Sequence, residues 1–163
     1  MRGLGLFYTA YAVAAMLVRL VGGQLIDLRG PRAVIIPSMF VQVGAALVLA
    51  LVAIFISPTG HVPVLPFLFL AGFLAGGAHG FLYPALSALL VDVTPDNRRA
   101  RAVGTFSSVF LLGNASGAVA FGYVAHGLGY RAMWSGLTVL LLLGFLASLR
   151  LRVGAPTTLV PAA

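Results

Sequence analysis

Five apolar runs divide the chain, at about residues 3–22, 33–56, 64–90, 99–125 and 132–149. Each is close to the roughly twenty residues that an α-helix needs to cross the hydrocarbon of a bilayer. Inside lipid a backbone has no water to bond to, so it must satisfy its own N–H and C=O groups, and no strand-like alternation interrupts these runs. Composition points the same way. At 61% hydrophobic and 8% charged residues, with a mean hydropathy of +1.08, the chain has more apolar surface than a soluble domain of 163 residues could bury. The expected fold is an all-α integral membrane protein with five transmembrane helices. Residues 1–152 would form the helical bundle, and 153–163, with Gly154, Pro156 and Pro161, a disordered tail.

Charge then orients the bundle. All ten basic residues are Arg, and the net charge is +7. Arg29, Arg32, Arg98, Arg99, Arg101, Arg150 and Arg152 gather in alternate loops, with Arg19 toward the same edge, whereas the opposite loops hold Arg2, His61, His126 and Arg131. The positive-inside rule puts the Arg-rich edge in the cytoplasm, the N-terminus outside and the C-terminus inside. These arginines sit in short loops without a basic face or interleaved aromatics, so nucleic acid is not an expected partner. Tyr8, Tyr11 and Arg19 suit a retained span better than a signal peptide. Cysteine is absent, which removes disulfides and thiolate chemistry. No phosphate loop, metal cluster or nucleophile–base set is present, so neither catalysis nor a cofactor or metal is expected.

The most informative loop is Arg19 to Arg32. Gly30 can take positive φ and Pro31 can open the next helix, which makes a tight helix-to-helix connection. Gly23, Asp27, Gly30 and Arg32 stand at the spacing of the signature loop of the major facilitator superfamily of secondary transporters, which this stretch resembles. Leu28 and Pro31 stand where the strongest versions of that motif are basic, and these departures suit its weaker second copy, in the C-terminal half of such proteins. Arg19, four residues before Gly23, also resembles that second copy. Gly76 to Leu86, ending in Tyr83-Pro84-Ala85-Leu86, is similar to the family's tenth helix. The stretch Asp92 to Arg101 resembles its link to the eleventh, matching at Pro95, Arg98, Arg99, Ala102, Gly104 and Phe106; Ala100 replaces a glycine, and Arg101 a small residue. Gly129-Tyr130-Arg131 resembles the external turn before the last helix.

The resemblance covers about residues 5–150 and implies helices eight to twelve of a drug-exporter-like transporter. Such a fragment would work by alternating access, moving a small lipophilic or metabolite-like substrate outward across the plasma (inner) membrane, with protons as a possible coupling ion. Leu111 stands where many drug exporters carry an acid. The implied cytoplasmic gate joins Asp27 and Arg19 to Arg98, Arg99 and Arg101. The implied partners are the lipid bilayer, a small-molecule substrate, and either the missing N-terminal half or a second copy. The rival reading is a small, non-transporting membrane scaffold derived from such a half.

Within the spans, polar and aromatic side chains mark an expected cavity: Tyr8, Tyr11, His79, Tyr83, Phe106, Phe110 and Asn114. His79 is the one ionisable side chain expected near mid-membrane, where such groups are costly and so often functional. Gly72, Gly76 and Gly80 recur every four residues, as do Gly113 and Gly117, and each set predicts close approach of another helix. Pro84 predicts a kink. Ser107, Ser108, Asn114 and Ser116 can line the cavity or bond back to their own helix, and Gln42 is the one polar side chain deep in an otherwise apolar second span.

Overall fold

A computed structural model describes residues 2–56 and 64–150; the expected tail, His61 and Arg152 lie outside them. Four long helices follow in order: α1 (Arg2–Arg29), α2 (Pro31–Leu51), α3 (Leu65–Asp92) and α4 (Arg99–Leu149). A π-helical turn, Val52–Ile56, extends α2, and a 3-10 turn, Asp96–Arg98, leads into α4. No strand occurs among the described residues.

Gly30 makes the α1–α2 reversal. Its φ of 79° is in the left-handed region, its N–H donates to the Ile26 carbonyl at 2.8 Å, and Pro31 begins α2 where a missing donor costs nothing. Pro84 lies inside α3, yet that helix continues unbroken from Leu65 to Asp92.

Four helices, rather than the five expected, are long and apolar enough to cross a membrane. The difference lies in α4, whose 51 residues take in both of the last two apolar runs. At Gly129 the backbone leaves helical geometry (φ 82°, ψ 168°). In a straight helix Phe121 and Gly136 would stand about 22 Å apart. Instead, a Cβ added at Gly136 would lie 3.8 Å from the Phe121 ring, so the two limbs fold back on each other.

α3 is the centre of the bundle, packed most extensively on α1 and then on α2. The α1–α3 seam is made of small residues. Ala10, Ala14 and Ala15 are buried against a face of α3 that carries Ala71, Gly72, Ala75, Gly76, Ala78 and Gly80. A Cβ on Gly72 would stand 2.5 Å from the Phe7 carbonyl oxygen, one on Gly80 2.9 Å from that of Ala15, and one on Gly76 would collide with that of Tyr11. Because 7, 11 and 15 advance with 72, 76 and 80, α1 and α3 run parallel. Small residues let helix backbones approach where lipid supplies little hydrophobic driving force. Beneath the α1–α2 turn, Ile26, Val34, Ile35 and Ala85 form a second cluster, packed by Leu25, Met39, Phe81 and Leu86.

The second limb of α4 runs antiparallel to α2. A Cβ on Gly144 would meet the Met39 methyl at 3.1 Å, and Phe40 and Phe145 pair with ring centroids 5.9 Å apart. Arginines tie this pair at both ends. Arg32 donates to the Leu149 carbonyl (3.2 Å) and Arg131 to that of Ala53 in the π-turn (3.2 Å). In each case an Arg near one helix start takes a carbonyl near the other helix end, where carbonyls lack helical partners.

Candidate functional site: an aromatic row beside an arginine edge

From α1 to α4, across α3, runs a row of rings. Phe7 stacks on Tyr11 (6.5 Å between centroids), and Tyr11 faces His79 (6.0 Å). His79 in turn faces Phe110 (6.0 Å), Phe110 meets Tyr83 edge-on (5.0 Å), and Tyr83 meets Phe106 (5.8 Å). Helical spacing accounts for each contribution: 7 and 11, 79 and 83, and 106 and 110 are all four apart and so share a face. The row's residues are half-buried rather than sealed, so part of each ring remains accessible.

Of the expected cavity residues, Tyr11, His79, Tyr83, Phe106 and Phe110 come together. Tyr8 meets the row only through the edge of Phe7 and is 65% exposed. Asn114 stays on the exposed face of α4. Phe7 belongs to the row although a ring without a polar group gave it no functional signal; its four-residue spacing from Tyr11 is the feature that could have found it. The serines divide. Ser108 and Ser116 donate back to the Gly104 and Leu112 carbonyls (2.9 and 2.7 Å), while the Ser107 hydroxyl lies 3.5 Å from that of Tyr83.

The two glycine sets also divide. Gly72, Gly76 and Gly80 lie in the α1–α3 seam, but Gly113 and Gly117 meet nothing within 4 Å among the described residues. Their helix exposes Leu111, Leu112 and Val119 alongside them.

At the arginine edge the expected contact of Asp27 with the cluster is not formed: Asp27 is exposed, and the ion pair among the described residues joins Arg99 to Asp96 (2.8 Å). Chain distance explains this, since Asp96 is three residues from Arg99 and already in its turn. Arg99 also donates to the Val91 and Thr94 carbonyls (3.3 Å each), and Thr94 donates to the Leu90 carbonyl (2.6 Å). Arg99 therefore organises the end of α3, whereas Arg98 and Arg101 line an open groove with Thr94, Asn97 and Thr105. Gly23 and Arg29 are exposed, and Arg32 is engaged with Leu149. Gln42 Oε1 is buried without a hydrogen-bond partner among the described residues.

The family model of the Major Facilitator Superfamily matches residues 2–162. The chain belongs to this superfamily. Its long apolar helices and its membership together make it a transporter-type membrane protein. No curated protein and no solved structure matches the chain. In this superfamily member the row draws on α1, α3 and α4, and Arg98, Arg99 and Arg101 lie where α3 passes into α4.

Proposed function

We propose that this chain is the C-terminal portion of a drug-exporter-like transporter, and that it moves a small lipophilic substrate out of the cell by alternating access across the plasma (inner) membrane. The observation that carries this reading is the continuous row from Phe7 to Phe106, a ring-lined surface contributed by three helices that are each long and apolar enough to cross a membrane. Stacking on such rings is tolerant of ligand shape, which suits a lipophilic cargo. The two limbs of α4 cross the bilayer separately, giving five crossings with the N-terminus outside and the C-terminus in the cytoplasm. The excess of Arg at one edge supports that orientation.

Asp27, Arg19 and the Arg98–Arg101 cluster form the cytoplasmic gate, with Asp27 making no ion pair among the described residues and engaging the arginines in another state of the cycle. Exposed pairs contribute only about 0–1 kcal/mol, a strength suited to a contact that breaks in every cycle. His79, within the row, contributes to proton coupling. A six-helix half or a second copy supplies the opposite wall.

The test is gradient-driven efflux of a lipophilic dye from vesicles holding the complete transporter. Flux that Asp27→Asn sharply reduces, with insertion intact, supports the reading. Full activity in Asp27→Asn removes the gate assignment, and absence of flux for any tested dye favours a scaffold.

A further inference from the structure

We infer that the aromatic row selects lipophilic anions, aromatic compounds bearing a carboxylate or similar acidic group, with Arg19 as the residue that holds the charge. This rests on the transporter reading for its physiological meaning, though not for the binding it predicts.

The first observation is where the acids are. The sequence has three acidic residues and no Glu. Asp92 closes α3, Asp96 lies in the following 3-10 turn paired with Arg99, and Asp27 is two residues from the end of α1. All three are exposed, at the ends of helices. An organic cation entering the row would meet no carboxylate from this chain at its own depth.

The second is where Arg19 is. In the parallel α1–α3 register Arg19 lies one turn past Ala15, which meets Gly80, and between Val18 and Gly22, which meet Gly77 and Phe81, so it stands level with the stretch of α3 that carries His79 and Tyr83. It stands ten residues before Arg29, about 15 Å of helix short of the cytoplasmic end of α1. Arg19 forms no ion pair or side-chain hydrogen bond among the described residues. Arg19 follows Ala15 by one turn on the side of α1 that packs on α3, and its side chain is exposed. A guanidinium at that depth is costly unless paired, and its flat fork of donors matches a carboxylate.

The row itself does not favour cations enough to reverse this. Ring faces attract a cation weakly and at short range, whereas a full charge in a low-dielectric setting acts further and repels it. The Tyr83 and Ser107 hydroxyls, 3.5 Å apart and either able to donate, add neutral donors on the same surface. Among the described residues, then, the row offers rings for an aromatic body and donors for an anionic end.

The experiment uses the full chain in phosphatidylcholine vesicles and three matched probes: 2-naphthoate, 2-naphthylmethylammonium and the neutral 2-naphthalenemethanol, with protein-free vesicles as blanks. Binding is read from probe fluorescence. The naphthoate should bind at least ten-fold more tightly than the ammonium. Arg19→Gln should bring that ratio near one while leaving the alcohol unchanged, and Arg19→Lys should keep part of the preference. Alcohol binding doubles as the check that Arg19→Gln is folded; where it fails, the wild-type ordering and Arg19→Lys decide. An ammonium bound as tightly as the naphthoate, a preference that survives Arg19→Gln, or no naphthoate binding each overturns the inference. Anion-selective binding without gradient-driven flux removes the transport reading and leaves the anion site standing. Flux that prefers the ammonium does the reverse.

Discussion

Gly76 sits directly on the Tyr11 carbonyl, so that no side chain fits between α3 and α1 at that level. The same residue pair fixes the depth at which the Tyr11 ring meets His79 on the neighbouring face. A packing seam and the row of rings are therefore set by one close approach of two backbones.

Replacing Gly76 by Ala should force α1 and α3 apart, since the obstruction is backbone and cannot swing away. A loss of about 1–3 kcal/mol or more is expected from overpacking. Gly113→Ala meets open space among the described residues and should be neutral or, by helix propensity, slightly favourable. Thermal unfolding of both variants in detergent separates the two cases, and equal midpoints would contradict the seam.

Arg131→Ala removes the donor to the Ala53 carbonyl in the π-turn. The expected cost is about 1–2 kcal/mol, with Arg32→Ala costing a similar amount at the opposite end through Leu149. Because the two ties lie at opposite ends of one helix pair, their effects should add. Denaturation midpoints of the two single variants and the double variant measure this.

Gln42 holds a buried oxygen without a partner among the described residues, a burden that an apolar side chain of similar volume lacks. Gln42→Met should therefore leave stability unchanged or raise it by about 1 kcal/mol. A marked loss in the same unfolding assay would show that Gln42 does have a hydrogen-bond partner in the folded chain.

His79→Ala should flatten part of the pH dependence of flux. The titratable ring that faces His79 is that of Tyr11 on α1, while α4 offers it the ring of Phe110. An unaltered pH profile in His79→Ala would take His79 out of the coupling path.

What the sequence by itself determined is local or averaged along the chain. Membrane residence follows from runs of apolar residues long enough to span, and the α1–α2 reversal from Gly30 and Pro31, whose backbone preferences act whatever surrounds them. Four-residue spacing placed Tyr11, His79, Tyr83, Phe106 and Phe110 on usable faces of their helices. What only the tertiary structure decided is which faces meet. Two glycine repeats look alike in sequence, yet one packs against α1 and the other finds no neighbour, because an absent side chain carries no record of its partner. In the same way Asp96 rather than Asp27 holds Arg99, and Arg32 and Arg131 reach carbonyls more than seventy positions away along the chain. Hydrogen bonds and ion pairs act over a few ångströms, so such pairings exist only once packing has brought distant segments together.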